Sequence, residues 1–189
     1  MAANPSGLQN ISRPGVCKAD RAPLTAERLR ELLEYNPETG DFIWLVATGR
    51  RVHVGDVAGS TDSGGYRHIR IDGELYRAHR LVFLYMTFAF PDSDVDHRDG
   101  DRANNRWGNL RTATASQNAA NSTRPATNTS GFKGVSWHKK DQKWEARIMV
   151  NSRKLHLGYF DTPEAGHQAY MAAAAKHFGE FASDGERAA

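Results

Sequence analysis

The 189-residue chain has a single cysteine, Cys17. That excludes an intramolecular disulfide and any zinc site built from a cysteine cluster. A reducing, intracellular setting is therefore expected. Long apolar runs are also missing: the longest, Leu81–Met86, is far too short to cross a bilayer. Met1–Arg21 has no apolar centre, so residues 1–23 read as a disordered tail rather than a secretory signal. Net charge is small as well, with 25 Lys+Arg against 22 Asp+Glu, or +3. Averaged over the chain, that value implies nothing about a partner.

Its placement is more informative. Residues 1–120 hold 15 basic and 15 acidic side chains, whereas residues 121–189 hold 10 and 7. The surplus is densest between Arg124 and Lys154, where eight basic residues face only Asp141 and Glu145. A local basic stretch in an otherwise neutral protein is the footprint expected of phosphate binding.

Three segments follow the tail. In residues 24–122, Thr25 is a candidate N-cap, and Leu29, Leu32 and Leu33 form one helical face that Asn36-Pro37 would end. Strand-like runs follow at Phe42–Val46 and Tyr66–Ile71. Asp72-Gly73 then predicts a two-residue hairpin turn into Glu74–Ala78. Arg80–Phe88 reads as a buried helix. Residues 94–122 are polar but not repetitive. Val95–His97 and Leu110–Thr112 can pair as short strands across a polar loop, and Thr114–Gln117 has the pattern of a capping box that opens a helix.

Residues 123–129 form a linker rich in Thr, Asn and Pro. In residues 130–180, three strand-like runs precede an Ala-rich helix started by Thr162-Pro163-Glu164. Alternation places Trp144, Ala146, Ile148 and Val150 on one face of the middle strand, and Lys143, Glu145, Arg147 and Met149 on the other. The expected fold class is α+β: a ββα unit at 94–122 inside a small α+β domain, then a three-stranded antiparallel sheet packed on one helix. Residues 181–189 read as a second tail.

The chemistry-bearing residues lie in 94–122. Asp96 and Asn118 can offer hard oxygen ligands from two elements, and Mg²⁺ takes few protein ligands and keeps several waters. His97, next to such an ion, could take a proton from water. A satisfied, buried Asp-His pair is the other reading of these residues by spacing alone.

The ordered motifs Ala78–Val82, Val95–Asp101, Asn104–Arg106, Asn109–Arg111 and Thr114–Asn118 resemble the HNH homing-type endonucleases common in bacteriophages. The resemblance implies a ββα-metal site and a Mg²⁺- or Mn²⁺-dependent DNA endonuclease. In it His97 is the general base, Asp96 and Asn118 are metal ligands, and Asn109 holds the loop and positions the base. At the last motif position this chain has Asn118 in place of histidine. His79 matches a family position and is expected to be structural. Asp99 and Asp101 are expected to serve the turn at Gly100.

Ser130–Val135, Trp144–Ile148, Leu157–Phe160 and Ala165–Ala175 resemble the Apetala/ethylene-response type of DNA-binding domain. That resemblance implies a sheet laid in the major groove of double-stranded DNA. Arg147 is then the first candidate for base contact. Lys133, Lys140, Lys143 and Lys154 are candidates for phosphate, and Ser136, His138 and His156 share the face by parity. No membrane partner is expected, and a monomer and a homodimer both fit. The alternative reading is a sequence-specific DNA-binding regulator whose nuclease unit is inactive, because of Asn118. A structural or RNA-binding role for the basic face is a third.

Overall fold

A computed structural model describes residues 23–49 and 51–186. Cys17 and all of the first expected tail except Pro23 lie outside them, as do residues 187–189 of the second.

Helix α1 (Ala26–Leu32) starts where Thr25 accepts a hydrogen bond from the Arg28 amide, and it buries Ala26, Leu29 and Leu32. It stops sooner than the apolar spacing predicts. Leu33 is extended (φ −139°, ψ 137°) and opens strand β1 (Leu33–Tyr35), which pairs antiparallel with β2 (Phe42–Trp44). Leu33 and Tyr35 alternate with exposed Glu34, so a two-residue period takes over from the helical one. Strands β3 (Ser60–Thr61), β4 (Arg67–Ile71) and β5 (Glu74–Arg77) form an antiparallel sheet in that order. Asp72 (φ 48°) and Gly73 (φ 87°) both turn left-handed, the geometry a type I′ hairpin requires. Helix α2 (Ala78–Thr87) buries Ala78, His79 and Leu81–Leu84. Leu29, Leu33, Phe42, Ile69, Ile71, Leu81 and Val82 are almost fully excluded from water. Each such side chain contributes about 1.5–3 kcal/mol from burial.

Strands β6 (Asp94–His97) and β7 (Leu110–Ala113) pair antiparallel, with Asp96 opposite Arg111 and His97 opposite Leu110. Helix α3 (Ala115–Asn121) is opened by a complete capping box between Thr114 and Gln117. Strands β8 (Val135–His138), β9 (Lys143–Val150) and β10 (Arg153–Phe160) form an antiparallel sheet with β9 in the centre. Helix α4 (Pro163–Phe178), N-capped by Thr162, packs on that sheet. Gly134 (φ 74°) admits this packing, since a Cβ there would lie 2.2 Å from the Tyr170 ring. The fold is α+β, as the sequence pattern predicts.

The apolar cluster beneath β8–β10 joins Ile148, Tyr170, Ala174, Phe178 and Phe181 to Ala113 and Ala120 of the ββα unit. The two segments therefore share a core across residues 123–129. Among the described residues, no helix is long and apolar enough to cross a membrane.

Candidate metal and nuclease centre

Strand β6 delivers Asp96 and His97 side by side, and both are buried. Helix α3 brings Asn118 to the same place. A small polar cavity of about 50 Å³ is lined by Asp96, His97, Asn118 and Asn121, with Tyr66 and Arg102 also in its wall.

Asp96 is held from two sides. Arg111 donates from Nε to its Oδ2 at 2.8 Å, and a second guanidinium nitrogen lies 2.8 Å from the same oxygen. Asn121 donates to Oδ1 at 3.0 Å, to Oδ2 at 3.1 Å and to the His97 carbonyl at 2.7 Å. A carboxylate offers about four lone-pair directions, so Oδ1 retains one. Among the described residues, no group of three or more His, Cys, Asp and Glu side chains could hold a metal. A small hard cation does not need such a group. One carboxylate, one amide oxygen and several waters suffice for Mg²⁺, and the donor set of Asp96 and Asn118 around a polar cavity fits that requirement.

His97 Nε2 lies 3.3 Å from Asn105 Oδ1. The Asn105 amide nitrogen donates to the Ala103 carbonyl at 3.1 Å, so its oxygen is the atom that faces the ring. Nε2 therefore carries the proton, and Nδ1 keeps its lone pair. Burial lowers the His97 pKa, opposed by the Asn105 hydrogen bond and by Asp99, Asp96 and Asp101. The lowered pKa favours the neutral imidazole. His79 packs edge-on against it, ring centroids 5.2 Å apart, and burial pushes the His79 pKa down to about 3.

The loop between β6 and β7 is knotted by side chains. Asn109 donates to Asp99 Oδ1 at 2.9 Å and to the Asn104 carbonyl at 2.8 Å, while its Oδ1 accepts from the Asp99 amide at 3.1 Å. Asn104 donates to Asp99 Oδ2 at 2.6 Å. Asn109 thus ties the loop, but the side chain on the imidazole is Asn105, not Asn109. Asn105 and Asn121 were missed as site residues by sequence reasoning. The signal available for Asn121 was its place one helical turn after Asn118, on the same helix face.

The sheet face divides the remaining candidates. Strand register puts Ser136, His138, Lys143, Arg147, Lys154 and His156 on one face, with Tyr159 beside them past a bulge between His156 and Gly158. Ser136, Lys140 and Lys154 are exposed. Lys143 is 3.1 Å from Asp161, and His138 is 3.0 Å from Asp141. Arg147 pairs with Glu145, as does His156 at 2.9 Å. Those hydrogen bonds hold Glu145, itself buried, below the usual carboxylate range.

Lys133 requires correction. It is buried, and its Nζ donates at 2.5 Å to the carbonyls of both Ala120 and Ser122. It cannot meet a phosphate from there.

Comparison with known proteins bears on this centre directly. The HNH endonuclease family model matches residues 76–120, which include Asp96, His97, Asn109 and Asn118. Protein 3.8 of Escherichia phage T7 is 33% identical over 88 residues, 47% of this chain and 72% of that protein. Residues 76–120 are an HNH endonuclease domain. A second relative of this chain is a protein of Acanthamoeba polyphaga mimivirus described as an uncharacterized HNH endonuclease. It is 31% identical over 107 residues, 56% of this chain and 54% of the relative, so the chain spans about half of that protein. The solved structure titled "DNA binding and cleavage by the HNH homing endonuclease I-HmuI" is also similar to this chain. It shares 17% identity at a TM-score of 0.39, over 77% of this chain and 84% of that one.

Proposed function

We propose that this protein is a site-directed DNA endonuclease. It hydrolyses phosphodiester bonds with one divalent ion, Mg²⁺ or Mn²⁺, and is steered by the outer face of the β8–β10 sheet. The observation that carries the reading is the convergence of Asp96, His97 and Asn118 on one polar cavity in a segment that matches the HNH family.

Asp96 and Asn118 would hold the ion. When bound, it supplies positive charge beside the scissile phosphate and stabilises the leaving oxygen. His97 takes the proton from the attacking water at Nδ1, because Asn105 fixes Nε2 as the protonated nitrogen. Its burial favours the neutral ring. Arg77 and Arg102 lie over the Tyr66 ring, 4.6 and 4.9 Å from its centroid, and Tyr66 and Arg102 line the cavity. Neither forms an ion pair among the described residues, so both suit backbone phosphates.

Residues 24–122 act as the nuclease domain. Residues 130–180 act as an Apetala-type reader of double-stranded DNA, with Arg147 toward bases and Lys140, Lys143 and Lys154 toward phosphates. The absence of cysteine pairs fits action inside a bacterial or phage-infected cell.

Incubating the protein with supercoiled plasmid in Mg²⁺ or Mn²⁺ tests this. Relaxed or linear product that disappears in Asp96→Asn and His97→Ala supports it. Tight binding with no cutting in either metal overturns it and favours the DNA-binding regulator.

A further inference from the structure

The C-terminal segment reaches back to Asp96 by two separate routes. In the first, the α4 helix runs into a 3-10 turn, Gly179–Phe181. The Glu180 carbonyl accepts from Arg111 at 3.0 Å, and the Phe181 ring lies 3.6 Å beneath the Arg111 guanidinium. The Glu180 carboxylate adds contacts to Arg111 at 3.4 Å and Arg98 at 2.8 Å. Arg111 in turn grips Asp96 Oδ2. In the second, Lys133 binds the carbonyls on either side of Asn121, and Asn121 grips both oxygens of Asp96 and the His97 carbonyl. Among the described residues, every side-chain hydrogen bond to Asp96 thus comes from a group that the C-terminal segment anchors.

We infer that Phe181 and Lys133 are positioning residues of the metal centre, acting through Arg111 and Asn121 on the Asp96 carboxylate. The C-terminal segment then has two jobs: its outer face meets DNA, and its inner edge sets the ligand geometry of the nuclease unit. The physical reason is orientation. A carboxylate free to rotate presents its open Oδ1 lone pair only part of the time. A flat guanidinium stacked on a ring and a doubly held amide fix it. This rests on the assignment of Asp96 as the metal ligand above.

The test is Mn²⁺ binding to the full-length protein without DNA, followed by electron paramagnetic resonance, alongside kcat and KM on a DNA duplex. Phe181→Leu keeps an apolar side chain and removes the ring face. Phe181→Tyr keeps the ring. Lys133→Met keeps the apolar stem and removes the amine. Thermal unfolding of each variant sets a temperature at which all are folded. The expected result is roughly tenfold weaker Mn²⁺ binding in Phe181→Leu and in Lys133→Met. Their kcat falls with it, KM for DNA stays within about twofold, and Phe181→Tyr behaves as wild type. Lower melting temperatures with unchanged Mn²⁺ affinity would overturn the inference and leave only a packing role. Asp96→Asn separates the two levels. If it abolishes Mn²⁺ binding while the positioning variants do not weaken it, the inference alone fails. If it binds Mn²⁺ as well as wild type, the ligand assignment itself fails.

Discussion

The nuclease centre and the outer sheet face are both polar, yet they are built in opposite ways. Around Asp96 and His97 the polar side chains are buried or half-buried, and many are tied to one another within 2.6–3.3 Å. On the sheet, Ser136, Lys140, Lys154 and Arg147 stand in water. The difference fits what each would do under the proposed function. Charge stabilisation in a reaction is largest where donors are already aligned and water is excluded. A nucleic-acid face gains affinity by releasing counterions and must stay open to be covered.

That contrast makes separable predictions, the largest first. His97→Ala should lower the cleavage rate by about 10²–10⁴ and leave duplex affinity unchanged in a gel-shift titration. A large loss of affinity would mean the two regions are not distinct. Asn121→Ala should reduce metal affinity or turnover by about 10–100-fold, since Asp96 loses its partner on one side; a metal titration with single-turnover kinetics checks this. Arg147→Ala should relax discrimination at one base pair by about 1–3 kcal/mol, read by selection from a randomised duplex, with kcat at saturating DNA unaltered. Lys154→Ala should weaken binding equally to all sequences and reduce the salt slope by about one.

A smaller effect lies in pH. His79 is neutral in the fold down to about pH 3, whereas the unfolded chain takes up the proton near 6.5. Stability from this group is therefore full above pH 6.5 and is lost as pH falls toward 3, by at most about 1.4 kcal/mol per pH unit. Melting curves between pH 7 and 4 measure it, and His79→Phe should flatten the dependence. Lys133 acts with the same sign at higher pH. Burial lowers its pKa to about 8 from 10.5, so the protonated amine costs stability below pH 8, and that cost fades as pH rises to 10.5.

Local rules made much of this legible. The Asp72-Gly73 turn, the Thr114–Gln117 capping box and the β9 alternation each depend on a few neighbouring residues, and each lies where its spacing predicts. Asp96, His97 and Asn118 line one cavity because a two-strand, one-helix unit folds them together within 25 residues. Helix α1 was overestimated because Leu33 suits both a helical face and a strand. Lys133 was assigned to DNA because charge patterning counts a lysine without knowing what lies above it. Its partners, Ala120 and Ser122, are backbone carbonyls, which have no sequence signature. The Asn105 contact to His97 and the Phe181 contact to Arg111 are likewise tertiary and depend on side chains that other residues could replace.

Glu145 has a consequence for how the protein would travel. With no DNA present, Arg147 and His156 already have an anionic partner in the middle of the sheet. Under the proposed function a phosphate would have to compete with that carboxylate, so contacts at unmatched sequence would be brief. A site that gave Arg147 something better than Glu145 would hold the protein longer. The acid in the basic face would then act as a clock on residence time.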